Sequence, residues 1–404
     1  DFIPGSWCKG VNMVYSVKTF NNINQVGLKE LGNHFQVDGD LAENPDAFIL
    51  RSQNLHGIEF PENLKAIARA GAGTNNIPIA DATAAGIVVF NTPGANANAV
   101  KEAVLASILM SARDYIAANA WVNTLSGDDV PKQVEAGKKQ FAGNEISGKT
   151  LGVIGLGAIG GRIANYAQRL GMNVLGYDPY VSIETAWNIS HHVKRVDDVK
   201  EIFANCDYIT VHVPLTDETR HTFNSEAFGL MQKGTVVINF ARGELVDNAA
   251  LFEAIEAGVV KRYITDFGTE ELLNKDKITV FPHVGGSTAE AELNCAIMAG
   301  KTIRQFMETG EITNSVNFPN VHQALTAPYR ITLINKNVPN IVAKISTAVS
   351  ELGINIDNII NRSKGDYAYT LLDLDETDKA KVDHLVANFE ASDNIIRVRL
   401  IAKK

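Results

Sequence analysis

At 404 residues, 45% hydrophobic and 21% charged, the chain is long enough for two or three domains, each with its own core. Its formal net charge of -9 and pI near 5.5 argue against nucleic acid or an anionic membrane surface as a partner, so an anionic ligand must be drawn by local basic residues. No apolar run reaches the roughly 18 residues of a membrane span and no leader pattern is visible, so a cytoplasmic protein is expected. Cys8, Cys206 and Cys295 are scattered without metal-ligand spacing, and the expectation is no metal and unremarkable thiols.

In chain order, residues 1–12 show no periodicity and read as an appendage outside the fold. Short apolar runs at 47–50, 66–68 and 87–90 suit parallel strands, which are covered on both faces and lose the alternation of a half-exposed strand. The stretch 99–118 has neither proline nor glycine and is apolar on most faces, so a single helix buried in a core or subunit contact is expected. Six further strands, at 151–154, 174–177, 208–213, 236–239, 263–266 and 278–281, alternate with helical stretches as in a doubly wound sheet. A helix over 288–308 leads to a linker. Past it, strands at 330–334, 354–360, 368–374 and 395–401 with helices over 341–352 and 379–389 give the βαββαβ order of a ferredoxin-like module. The expected class is α/β: two Rossmann-like doubly wound lobes plus the small C-terminal module. The boundaries read as a discontinuous substrate-binding domain over 13–95 and 285–322, a nucleotide-binding domain over 96–284, and the module over 327–404.

The most informative stretch is 149–178, which reads as strand, glycine-rich turn, helix, strand and terminal carboxylate. Gly155 permits the tight turn, Gly157 lets backbone N–H groups approach a pyrophosphate, and Gly160 lets the helix lie close to the strand. The turn residues Ala158 and Ile159 lead into a helix start whose unpaired donors suit phosphate. Asp178 would accept ribose hydroxyls and repel a 2'-phosphate, which favours NAD over NADP.

Arg242, Glu271 and His283 fall at the carboxyl ends of late strands, where open parallel sheets bind ligands. Oxidising a secondary alcohol by hydride transfer requires removal of a hydroxyl proton, a task for an imidazole that titrates near neutrality. A carboxylate beside it would stabilise the imidazolium, and a guanidinium would hold a 2-hydroxy carboxylate through paired donors. In these motifs, from about Val14 to Asn320, the chain resembles the NAD-dependent D-2-hydroxyacid dehydrogenases. The resemblance makes Arg242, Glu271 and His283 the catalytic set. The residue after Glu271 is Leu272 where many relatives have proline, and Glu270 is the rival carboxylate; Glu271 fits the family spacing from Arg242 without a gap. The resemblance also implies cofactor contacts at His212, Pro214, Thr219, Ala241, Asp266 and Gly286.

Arg51, Ser52, Gly73 and Asn96 lie in segments similar to the substrate-facing motifs of the D-3-phosphoglycerate dehydrogenases within that family, and Arg242 and His283 complete the implied substrate set. The substrate so implied is a small anion, D-3-phosphoglycerate, oxidised with NAD at the entry to serine synthesis in a cleft that closes against water. The C-terminal module resembles an ACT domain, a unit that binds amino acids at paired interfaces, with Asn337 and Asn355 as the implied effector contacts. Asn335 and Asn340 depart from the pattern of serine-sensitive relatives, and a side chain at Asn340 in its tight turn would obstruct that site. A homodimer or homotetramer is expected. The rival readings are a reductase of hydroxypyruvate, glyoxylate or another D-2-hydroxyacid couple, and, from a different class, an NAD-sensing regulatory protein.

Overall fold

The computed structural model describes residues 14–39 and 43–403; residues 1–12, with Cys8, lie outside them. The chain divides into two compact units, one formed by the stretch up to Ala95 together with Glu292 onward, the other by Asn96–Ala291.

The first unit opens with β1 (Tyr15–Thr19), β2 (Phe35–Val37), β3 (Ala47–Leu50), β4 (Ala66–Arg69) and β5 (Val88–Phe90). They pair in the order β2-β1-β3-β4-β5, all parallel, with the reversal of strand order between β1 and β3. Ligands of such sheets bind beyond the strand ends at that reversal, and Arg51 directly follows β3. The sequence reading found β3, β4 and β5 but not β1 or β2, whose polar residues break the apolar run.

The second unit holds seven parallel strands: β6 (Thr150–Ile154), β7 (Asn173–Tyr177), β8 (Lys194–Arg195), β9 (Tyr208–Val211), β10 (Thr235–Asn239), β11 (Val260–Thr265) and β12 (Ile278–Val280). Their order, β12-β11-β10-β9-β6-β7-β8, reverses between β6 and β9. Adjacent residues on each strand enter opposite cores, as the two-residue strand period requires. Val236 and Ile238 pack with the helices α1 (Ala97–Ala112) and α3 (Gly160–Arg169). Val237 packs with α4 (Val199–Asn205) and α5 (Asn248–Glu256) on the other face.

One expectation fails in this unit. The apolar stretch at 99–118 is not one helix, because α1 ends at Ala112 and Arg113 is extended at φ -132°. Asp114 then caps α2 (Tyr115–Val122) by accepting the Ala117 N–H, and its other oxygen pairs with Arg262 at 2.6 Å. A carboxylate with two such partners interrupts a helix that side-chain polarity alone would continue.

The chain returns to the first unit through α6 (Ala289–Thr309). It then forms β13 (Tyr329–Lys336), α7 (Ile341–Glu351), β14 (Asn355–Lys364), β15 (Tyr367–Asp375), α8 (Lys379–Glu390) and β16 (Ile395–Ala402). The antiparallel sheet runs β14-β15-β13-β16, the expected βαββαβ order. Ile331, Leu333, Leu372 and Leu374 face α7 and α8. Ile334, Tyr369 and Leu371 join the core formed by the unit's opening strands and α6. Asn340, ahead of α7, is left-handed at φ 64°, a conformation asparagine tolerates better than most side chains.

Buried arginines fasten this second face. Arg330, fully buried, forks onto both oxygens of Asp373 and donates to the carbonyls of Thr309 and Ala324. Arg399 forms no ion pair with a carboxylate among the described residues; it lies over the Phe306 ring at 4.4 Å and donates to the Phe306 and Met307 carbonyls, near the negative end of α6. Replacing Arg330 with Met strands the Asp373 carboxylate in the interior, and urea unfolding should show a loss of about 3–5 kcal/mol. The double variant Arg330→Met/Asp373→Leu should recover most of it, since no unpaired charge remains.

Candidate active site

In the second unit, every cofactor or catalytic candidate between Gly155 and Gly286 sits in or just beyond a loop at the carboxyl ends of the strands. After β6, Gly155 takes φ +88°, and a Cβ there would fall 2.7 Å from the His212 carbonyl oxygen. Gly157 has nothing within 4 Å of its would-be Cβ, and Gly157 and Ala158 are exposed. A Cβ on Gly160 would fall 1.8 Å from the Gly155 oxygen, so only glycine lets α3 start this close to the strand. Ile159 at the helix start gives no side-chain cap, so apart from the Gly161 N–H, which bonds the Gly157 carbonyl, the first turn's donors suit a ligand.

Asp178, just after β7, accepts the Leu156 N–H at 2.8 Å and the Tyr180 N–H at 2.8 Å. Its carboxylate is thereby tied to the glycine turn. After β9, Thr219 closes its loop by donating to the Pro214 carbonyl at 2.6 Å. His212 meets Thr210 Oγ1 through Nε2 at 2.8 Å, while its Nδ1 is buried without a partner. Burial pushes the imidazole pKa down to about 3, so His212 is neutral.

The catalytic candidates stand on neighbouring strand ends. Asn239, fully buried at the end of β10, accepts the Ala241 N–H at 3.0 Å and donates to the Arg242 carbonyl at 2.8 Å. Arg242 itself is exposed, and its guanidinium rests on the Ala241 carbonyl. Asp266 at the end of β11 is buried, with one carboxylate oxygen accepting the Gly285 N–H at 3.0 Å and the other unpartnered. Burial raises its pKa against the opposing pull of that N–H and of the His283 and Arg242 charges.

His283 follows β12 in a left-handed conformation, φ 44°, that its N–H bonds to Asp266 O at 3.1 Å and Phe281 O at 3.0 Å hold in place. The Phe267 ring meets the imidazole edge-on at 4.8 Å. His283, Asp266 and Glu271 line one groove of about 1010 Å³. Glu270 is not part of its wall. Glu271 makes no hydrogen bond to His283; its partner is the Asn248 side-chain amide. Gly286 lies against Asn96, whose Oδ1 is buried and unpartnered.

In the first unit, Asn21 Oδ1 gathers the N–H groups of Arg51, Ser52 and Gln53, and Arg51 pairs with Glu292 at 2.6 Å. Gly73 is half-buried after β4. Asn337 and Asn355 are not brought together within one chain. Asn337 bonds Gly365 at one end of the antiparallel sheet, whereas Asn355 pairs with Asp375 at the other, a strand length or roughly 25 Å away. Cys206 and Cys295 are buried; burial pushes the Cys206 thiol up to about 12 and raises Cys295 as well. Among the described residues no cluster has metal-holding geometry, and no helix is long and apolar enough to cross a membrane.

Sequence reasoning missed Asn239, Phe267, Asn248 and His221. His221 is exposed, but at φ 54° it lines the same groove. Asn239 and Asn248 lie within a few residues of Arg242 in the sequence, but nothing there announces the partners of their side chains.

The open backbone at Gly157, the uncapped α3 start, the carboxylate at Asp178 and the orphaned acceptor on Asp266 together fit a nicotinamide dinucleotide. Residues 105–285 match the model of the D-isomer specific 2-hydroxyacid dehydrogenase, NAD binding domain. A Synechocystis protein named D-3-phosphoglycerate dehydrogenase is 32% identical over 409 residues, covering 94% of this chain and 71% of that protein. The chain therefore belongs to the D-isomer specific 2-hydroxyacid dehydrogenase family. Within it, a Methanocaldococcus jannaschii protein, also named D-3-phosphoglycerate dehydrogenase, is 39% identical over 66% of this chain and 50% of its own length. The chain thus spans about half the length of some curated relatives it matches. The NAD+-bound 3-phosphoglycerate dehydrogenase of Entamoeba histolytica superposes with a TM-score of 0.59 at 26% identity, covering 75% of this chain and 99% of that one.

Two predictions test this geometry. Gly157→Ala should fold normally and bind NAD more weakly, whereas Gly160→Ala should lower the melting temperature before any ligand is added; equal stability of the two would contradict the close contact. His212 stays neutral when folded but takes a proton near pH 6.5 when unfolded, so stability present above pH 6.5 falls toward pH 3 by about 1.4 kcal/mol per unit. His212→Gln should lack that component, and urea midpoints at pH 7 and 4.5 should show a smaller acid loss than in the wild type.

Proposed function

We propose that the protein oxidises D-3-phosphoglycerate to 3-phosphohydroxypyruvate with NAD, the first step toward L-serine. The observation that carries this reading is the joining of Asp266 and His283, with Arg242 on the adjacent strand end, in the same unit as a complete dinucleotide turn. The relatives' names supply the substrate.

When bound, NAD supplies the acceptor for the substrate hydride. His283 takes the proton of the 2-hydroxyl as the C–H bond gives up its electron pair, and returns it in the reverse direction. Arg242 leaves the Ala241 carbonyl to hold the substrate carboxylate through paired donors, which fixes the reacting carbon. Glu271 stabilises the imidazolium that His283 becomes. The unpartnered oxygen of Asp266 accepts from the carboxamide of the nicotinamide. The substrate phosphate calls for a further cation, and Arg51 is the candidate. An amino-acid site built on Asn337 and Asn355 needs one residue from each of two copies, because a single chain keeps them apart.

The deciding assay is NADH formation with D-3-phosphoglycerate, D-glycerate and D-lactate in parallel. Phosphoglycerate should be preferred, and His283→Ala should cut turnover by roughly 10²–10⁴ while NAD affinity holds. Preference for an unphosphorylated acid would point to a reductase of that acid. NAD binding without turnover on any of them would point to an NAD-sensing protein.

A further inference from the structure

Asn248 is the first residue of α5, but it is not the helix cap. Asp247, one place earlier, accepts the N–H groups of Ala249 and Ala250 and fills that role. The Asn248 amide is therefore free to act across the groove. It donates from Nδ2 to Oε1 of Glu271, on the short 3-10 turn Glu270–Leu272. Asn248, Glu271 and His283 all line the same groove. Among the described residues, no hydrogen bond or ion pair joins Glu271 to His283.

We propose that Asn248 is a positioning residue that competes with His283 for the Glu271 carboxylate. The proposal rests on the reading of His283 as proton acceptor and Glu271 as its carboxylate. A carboxylate bonded to a neutral amide is held at the α5 wall, and a swing toward His283 gives up that bond. The imidazolium formed when His283 takes the hydroxyl proton is then stabilised less than a freely moving Glu271 would allow. Asn248 thereby holds His283 at lower basicity and keeps it unprotonated, and able to accept a proton, at lower pH.

Other ionisable groups line the groove with the pair: Tyr263 from β11, Asp266 just after it, Glu244 and Asp247 ahead of α5, and His221 after β9; Arg242 after β10 acts on Asp266. All stay in place in variants at 248 and 271. Differences between those variants therefore isolate the amide–carboxylate contact.

The test is the pH dependence of kcat/KM for phosphoglycerate oxidation in the wild type, Asn248→Ala, Asn248→Gln, Glu271→Gln and the Asn248→Ala/Glu271→Gln double variant, with melting temperatures to confirm folding. Releasing the carboxylate should move the acid limb of Asn248→Ala upward by about one pH unit, with KM for NAD unchanged. Glu271→Gln should move the limb downward, the double variant should match Glu271→Gln, and Asn248→Gln, which keeps the amide donor, should return toward the wild type. An unmoved or lowered limb in Asn248→Ala, beside a lowered limb in Glu271→Gln, overturns the competition alone. A limb that shifts in neither single variant overturns the pairing of Glu271 with His283, and the proposal falls with it.

Discussion

The arrangement at the carboxyl edge of the seven-stranded sheet depends on Asp266. Its backbone carbonyl takes the His283 N–H and its carboxylate takes the Gly285 N–H, so both ends of one turn are fixed to the end of β11. That turn contains a left-handed histidine, a conformation costing on the order of 1–2 kcal/mol outside glycine. It persists because the bonds around it leave no other path for the chain. Asn239 does the same on the neighbouring strand, holding the Ala241 N–H and the Arg242 carbonyl from a fully buried position. Two buried polar side chains on adjacent strands thus set where the imidazole and the guanidinium start.

The electrostatics follow from burial more than from net charge. The chain is acidic overall, yet it is burial that raises the Asp266 pKa, against the pull of the Gly285 N–H and of nearby charges, and that lowers the pKa of His212. Each also keeps one buried polar atom without a partner, the kind of vacancy that a bound polar ligand relieves.

Much of this was legible in the amino-acid order. Strands such as β9 and β10 are buried on both faces and announce themselves as apolar runs, and the glycine turn carries steric demands that no other residue meets. What escaped were elements defined by partners. β1 mixes Ser16 and Lys18 into a strand that is central only once β2 and β3 flank it. Asp114 looks like one polar residue in an apolar helix until Arg262, 148 positions away, is seen beside it. Glu271 was separable from Glu270 by family spacing, but its contact with Asn248 rests on folding, since 23 residues divide them. Arg330 and Arg399 are likewise interior for reasons that lie elsewhere in the chain: carbonyls at the end of α6 receive both, and Asp373 receives Arg330 as well.

Covering the C-terminal sheet on both sides has a geometric consequence. One side packs on α7 and α8 and the other on the opening strands and α6, so both faces of the central strands are buried. What remains open are the rims: among the described residues β14 pairs with β15 alone and β16 with β13 alone, and no strand takes up the N–H and C=O groups along their far sides. A second strand meeting the sheet at such a rim would extend the ribbon sideways, strand to strand.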